Sequence, residues 1–207
     1  MGVDIKKRAF DIVASLSILL FSLPVIIILA LLVRANLGAP VFFRQVRPGL
    51  NEKPFQMVKF RTMRESRDSN GELLPDSARL TRFGKLLRSS SLDELPELWN
   101  VLRGDMSLVG PRPLLMRYLG HFTDLERIRF QVRPGITGWA QVNGRNESGW
   151  DARLAHDVWY VQNRSFFFDL KILAMTARQV IKSDGVLVDP TAEMLDLDEE
   201  RKQGGRL

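Results

Sequence analysis

The chain has 207 residues, a formal net charge of +6 and no cysteine. That length allows one domain with a sizeable core, and the missing thiols exclude a disulfide framework, a thiolate metal site and a cysteine nucleophile. The basic balance beside an apolar run points to anionic lipid headgroups, and no helix-turn-helix, zinc-finger or RNP pattern supports a nucleic-acid partner.

A basic lead-in, Lys6-Lys7-Arg8, precedes an uncharged run from Ile12 to Val33 with Pro24 near its centre. At ~1.5 Å of rise per residue the run reaches about 33 Å as a straight helix, enough to cross a bilayer. Pro24 removes a backbone hydrogen bond and crowds the preceding turn. Arg34, Arg44, Arg47 and Lys53 follow the run, so both flanks are basic. A single crossing cannot put both flanks in the cytoplasm, whereas a hairpin broken at Pro24 can. A kinked single crossing is the competing reading. The run is too long for the apolar core of a cleaved signal peptide, and Lys6 breaks the myristoylation pattern.

Val41 to Arg44 and Phe55 to Arg61 read as two strands, joined through the turn residues Arg47-Pro48-Gly49 into a hairpin. Glu65 to Ser77, with Asn70-Gly71 and Pro75, reads as an exposed loop. From Arg79 to Ser90, Leu80, Phe83, Leu86 and Leu87 recur at helical spacing among Arg79, Arg82, Lys85 and Arg88. Such a basic amphipathic helix suits either a membrane interface or an ordinary protein surface. Pro96 predicts a helix start, with Gly104 ending it. Leu114 to Phe130 and Phe166 to Lys182 are further predicted helices. Val132 to Arg145 between them is glycine-rich and irregular. The tail from Asp196 has little to bury and reads as flexible.

Chemistry concentrates in Ser91-Leu92-Asp93-Glu94-Leu95-Pro96. With a helix starting at Pro96, Asp93 and Glu94 sit at its positive end, where ionised carboxylates are favoured. Beside a metal-neutralised phosphate such a group serves as nucleophile or metal ligand. The bland alternative is a capping box formed by Ser91 and Glu94. Basic residues on rigid or turn backbone favour phosphate recognition. They are Lys59, Arg61, Arg88, Arg112 between Pro111 and Pro113, and Arg133 and Arg145 flanking the glycine-rich loop. His121 and His156 lack a metal-ligand spacing, and neither a Walker loop nor GxGxxG is present.

The chain resembles the bacterial sugar transferase domain of the monotopic phosphoglycosyl transferases. The matching stretches, in the family's order, are Lys59-Phe60-Arg61-Thr62-Met63, Ser91 to Pro96, Gly104-Asp105-Met106-Ser107, Val109 to Pro113, Arg133 to Gly138 and Gln141 to Arg145. Together they cover roughly residues 3 to 185. The resemblance implies transfer of a phosphosugar from a UDP-sugar to a polyprenol phosphate, undecaprenyl phosphate being expected, with release of UMP. It assigns Asp93 as the nucleophile of a ping-pong mechanism, and Glu94 as its partner in holding Mg²⁺ or assisting the acceptor. It gives Arg112 and Arg145, and less directly Lys59 and Arg88, as phosphate-binding residues. It also implies a re-entrant membrane helix broken at a Ser-Pro pair. Here the sequence is Ser22-Leu23-Pro24, so any help from serine comes one residue displaced.

The expected fold class is mainly α with a small β-hairpin (α+β). Residues 1–36 form the lead-in and re-entrant helix-break-helix, 37–185 a cytoplasmic catalytic domain with interfacial amphipathic helices, and 186–207 a polar tail. The chain is expected on the cytoplasmic face of a bacterial inner membrane, in contact with phospholipids and with glycosyltransferases acting downstream. A Mg²⁺-dependent membrane phosphatase or pyrophosphatase, and a non-catalytic membrane scaffold, are the competing functions.

Overall fold

The computed structural model describes residues 2–143, 149–182 and 195–203. Helix α1 (Gly2–Leu37) is continuous through Pro24, so the chain forms one element there rather than two helices separated by a break. Ser22 Oγ donates to the Ile18 carbonyl at 2.6 Å, one turn back, a bond that tends to bend helices. The stretch Ile5–Leu37 is long and apolar enough to cross a membrane, and its most apolar window is only 11% buried.

Both ends of α1 are nonetheless docked on the same domain. Near its start, the Arg8 guanidinium donates to the carbonyls of Val101 (2.6 Å) and Leu102 (2.8 Å). Lys7 pairs with Asp169, and Asp11 accepts from Ser107 Oγ at 2.8 Å and from Leu108 N at 3.3 Å. At the far end Leu29, Val33 and Leu37 are buried against Phe60 and Leu87. Arg61 donates to the Ala39 carbonyl at 2.9 Å and to that of Leu37, satisfying acceptors that a helix terminus leaves open. Between the docked ends Phe21, Leu20, Val13 and Leu31 face outward, Phe21 being 88% exposed.

Strands β1 (Phe42–Pro48) and β2 (Pro54–Phe60) pair antiparallel in the predicted hairpin. After a bend-rich loop come α2 (Asp76–Arg79) and α3 (Arg82–Ser89), the latter capped by Thr81 Oγ1, which accepts from Gly84 N at 3.0 Å. Gly84 lets α3 lie against the backbone of Thr62, where an added Cβ would stand 1.8 Å from the carbonyl oxygen. Helix α4 (Glu97–Arg103) starts after Pro96 and ends at Gly104, whose φ of 90° suits glycine. The buried Asn100 ties α4 to β2, accepting from Val58 N at 3.1 Å and donating to Gln56 O at 2.7 Å.

Two further strands lie where the sequence reads as irregular or unassigned. β3 (Ser107–Val109) and β4 (Gly135–Thr137) form a parallel pair, crossing so closely at Gly110 and Gly135 that neither has room for a side chain. The predicted helix over Leu114–Phe130 is instead two 3₁₀ turns, Met116–His121 and Glu126–Gln131. The split follows from Thr123 and Glu126, which cap each other's backbone N–H (2.8 and 3.3 Å) and restart the chain. Then follow α5 (Trp139–Asn143), α6 (Trp150–Asn163) and α7 (Phe166–Lys182). The last matches its prediction residue for residue, whereas α6 is unassigned by the sequence reading.

The tail departs from the flexible reading over its described residues. Helix α8 (Leu197–Gln203) inserts Leu197, fully buried, among Tyr118, Phe122, Phe130, Trp150 and Leu154. One apolar residue suffices because that aromatic cluster leaves a socket for it. Arg201 lies beneath, paired with Glu126 at 2.6 Å and Asp151 at 2.9 Å.

Candidate active site

A cleft of about 1280 Å³ opens between the hairpin, the segment after β2 and the loop after β3, roomy enough for a nucleotide-sized ligand. Lys59 reaches it from β2, Arg88 from the end of α3, and Arg112 from the proline-bounded loop held by the β3–β4 pair. Asp93 and Glu94 lie on a 3₁₀ turn (Leu92–Glu94) that hangs between α3 and α4. Ser91 enters that turn with φ 56°, a left-handed conformation that costs a non-glycine residue of order 1 kcal/mol or more. Its hydroxyl makes no capping bond, so the capping-box alternative does not describe this turn.

The three carboxylates here are treated very differently. Glu94 Oε1 accepts from Lys59 Nζ and from Arg112 Nη2, each at 2.8 Å. Burial alone would raise its pKa, but Arg112 and Lys59 more than offset this and hold it well below the ordinary glutamate range. Glu97, from the first turn of α4, is 2% exposed, with Oε1 2.9 Å from Lys59 Nζ but out of line for a hydrogen bond. Burial therefore dominates, and Glu97 is pushed up to about 7 despite that contact. Lys59 cannot serve both acids equally, and Glu94 has Arg112 besides.

Asp93 is the third. The residue is 8% exposed and lines the cleft, yet among the described residues its carboxylate accepts no hydrogen bond and forms no ion pair. Burial raises its pKa above the ordinary aspartate range, Lys59, Arg88 and Arg112 pull the other way, and Glu94 adds to the rise. Its two oxygens are thus unengaged while cations stand within electrostatic reach. That is the condition of a group ready to attack or to ligate.

Of the residues expected from sequence, Lys59, Arg88, Asp93, Glu94 and Arg112 come together in this cleft. Arg88 is steadied by a 3.0 Å bond from its Nε to Thr62 Oγ1. Arg145 lies outside the described residues. Arg61 edges the cleft but spends its guanidinium on the end of α1, and Arg133 caps α4 through Gly104 O at 2.8 Å. Ser22 and Pro24 sit in the middle of α1, among the outward-facing apolar residues. Sequence reasoning missed Glu97, which stands one turn after Asp93, and the cleft residues Arg47 and Arg117. Their types were visible, but no local spacing distinguishes them from surface charge.

Among the described residues no group of three or more acidic or histidine side chains is gathered for a metal. Mg²⁺, however, is commonly held by one or two carboxylates together with phosphate oxygens. Both oxygens of Asp93, and Oε2 of Glu94, fit that smaller requirement.

Residues 3–183 match the family described as bacterial sugar transferase. This chain belongs to that family. It is 56% identical over 182 residues to an uncharacterized sugar transferase, EpsL, of Bacillus subtilis, covering 88% of this chain and 90% of that protein. It is 40% identical over 197 residues to the UDP-glucose:undecaprenyl-phosphate glucose-1-phosphate transferase of Caulobacter vibrioides, covering 89% of this chain and 73% of the other. The UDP-galactose-lipid carrier transferase of Erwinia amylovora is also 40% identical over 197 residues, but this family member spans only 41% of it. Residues 3–183 thus contain every cleft-lining residue except Asp196, and the larger relatives carry additional chain.

Proposed function

We propose that this sugar transferase moves a phosphosugar from a UDP-sugar to a polyprenol phosphate, undecaprenyl phosphate by the names of its relatives, and releases UMP. The observation that carries the proposal is the contrast between Asp93, buried and unengaged, and Glu94, pinned by Lys59 and Arg112. In the first half-reaction an Asp93 oxygen attacks the β-phosphorus of the donor. The bond from that phosphorus to the bridging oxygen breaks, UMP departs, and the phosphosugar remains as an acyl phosphate on Asp93. In the second, a phosphate oxygen of the polyprenol carrier attacks the same phosphorus, which restores the carboxylate and yields the diphosphate-linked sugar.

Arg112, Arg88 and Lys59 neutralise the phosphates and stabilise charge on the departing UMP. Glu94 holds Arg112 and Lys59 in place for that work. Asp93 and Glu94 would hold Mg²⁺ against the donor phosphates, where it would supply further charge neutralisation.

The anchoring of both α1 ends on one domain supports a re-entrant helix, entering and leaving on the cytoplasmic face. A straight crossing would carry Arg8 and Leu37 to opposite sides, yet both bond to the same body. Exposed Leu86 on α3, Trp99 on α4 and Phe167 on α7 suit an interfacial resting depth, which would hold the cleft at headgroup level.

The test is mass spectrometry of the protein after incubation with a panel of UDP-sugars and Mg²⁺, without acceptor. A phosphosugar adduct on the peptide containing Asp93, discharged by undecaprenyl phosphate, is expected. Full turnover with no adduct at any time, or with Asp93→Asn still active, overturns the covalent route. Tags on Met1 and Leu207 should both report cytoplasmic, and a periplasmic Met1 would remove the re-entrant reading.

A further inference from the structure

The segment 195–203 does more than fill the aromatic socket, because it delivers a carboxylate to the mouth of the cleft. Its anchors are firm. Leu197 is fully buried, the Trp150 indole Nε1 donates to the Leu195 carbonyl at 2.8 Å, and Arg201 is 5% exposed between Glu126 and Asp151. Between two of these anchors sits Asp196, which pairs with Arg117 and accepts from the Tyr118 hydroxyl. Arg117 also lies over the Tyr118 ring, 5.4 Å from its centroid, and its Nε is 3.7 Å from Asp198. Arg117 and Asp196 both line the cleft that contains Asp93.

This pair differs in kind from the one on the cleft floor. In the Lys59–Glu94 pair the side chains are 13% and 17% exposed, whereas those of Arg117 and Asp196 are 53% and 46% exposed. A half-exposed ion pair contributes little to stability, so its partner is exchanged at small cost. A phosphate offers more charge and a better fit to the guanidinium fork than one carboxylate.

We propose that Arg117 is a further anion-binding residue of this cleft, and that Asp196 occupies its guanidinium until a phosphate of an entering nucleotide displaces it. The inference rests on the reading of the cleft as a UDP-sugar site. Asp196 then competes with the donor from a fixed position, so removing its charge tightens nucleotide binding and removing Arg117 weakens it.

The test is calorimetric titration of the full chain in detergent micelles with UDP and Mg²⁺. Asp196→Asn should tighten UDP by about two- to fivefold, the worth of an exposed pair. Arg117→Gln should weaken it, and the double variant should show none of the Asp196→Asn gain. Asp124→Asn makes the same change in net charge at an exposed site and should leave UDP affinity unaltered. Unchanged or weaker binding by Asp196→Asn overturns the proposal, as does an equal gain from Asp124→Asn or a gain that survives in the double variant. UMP release by the parent separates the two readings. Turnover with no response to Asp196→Asn sinks only this inference, and a response without turnover sinks only the transferase.

Discussion

Two charge clusters, one fully buried and one lining the cleft, lie on either side of the Arg112 loop and are built on opposite principles. Behind it, Arg129 and Asp157 form a matched pair with side chains 2% and 7% exposed. Arg129 donates to Asp157 Oδ2 through Nε at 3.1 Å and Nη2 at 2.8 Å, and to the Arg112 carbonyl at 2.7 Å. Its guanidinium lies within 5.5 Å of the Phe122 and Phe130 ring centroids. On the cleft side, Lys59 and Arg112 face three carboxylates and bind only some of them well. The first cluster has every strong group engaged and serves as a prop. The second leaves Asp93 over, and that surplus is where chemistry can occur. Burial by itself does not mark an active site; an unmatched group within a buried cluster does.

The largest expected effect separates the two clusters most sharply. Asp93→Asn should lower UMP release by more than about a thousandfold, as removal of a nucleophile does. It should leave the thermal midpoint unchanged or higher, because a desolvated and unpaired carboxylate is replaced by a neutral group. A lowered midpoint with activity retained would mean that Asp93 is the prop. Arg129→Leu should do the reverse. Leaving Asp157 buried without its partner costs about 3–5 kcal/mol, read as a fall in thermal midpoint in detergent. A milder loss of turnover should accompany it, because the Arg112 carbonyl loses its donor.

Next in size is Arg112→Ala. One charge-assisted contact to phosphate is worth about 1.5–3 kcal/mol, so kcat/KM for the donor should fall roughly ten- to a hundredfold. Glu94 loses a partner in the same variant, so part of the fall should appear as weaker cation placement. Arg112→Lys, which keeps the charge but not the fork, should recover only part of it. Full recovery by lysine would reduce Arg112 to a point charge.

Much of this arrangement is legible in the sequence. The hairpin, the helix stop at Gly104 and helix α7 rest on local signals such as turn residues and apolar spacing, whereas the five expected site residues found together in the cleft are singled out by the family resemblance. What is not legible is long-range. Glu97 becomes important only because β2 brings Lys59 beside it, and Arg129 only because α6 brings Asp157. The 3₁₀ turns after Leu115 depart from the predicted helix for a different reason. Their apolar residues have near-helical spacing, but Thr123 and Glu126 form a capping box that interrupts it. The Thr-x-x-Glu pattern of that box is visible in the sequence. The docking of the tail is not visible in its composition because a single apolar residue, Leu197, anchors it in the aromatic cluster.

The smallest expected effect tests how the cleft shares one lysine between two acids. Glu97 has its pKa raised from 4.5 to about 7, so between those values the folded chain binds a proton that the unfolded chain has released. Stability contributed by that proton is fully present below the unfolded value and is lost as pH rises through the folded one. Glu94 titrates the other way, and its contribution is present above the ordinary glutamate range and lost on acidification below it. In EDTA, Glu97→Gln should therefore reduce the decline in thermal midpoint between pH 4.5 and 7, to which Asp93 also contributes, and leave the more acidic limb in place. At pH 5 the variant and parent should differ little, because Gln then replaces a neutral acid of the same shape. A midpoint that rises with pH across that window in the parent would mean that Glu97, not Glu94, is the carboxylate Lys59 keeps ionised. The pinned and unpinned acids of the cleft would then have to be exchanged.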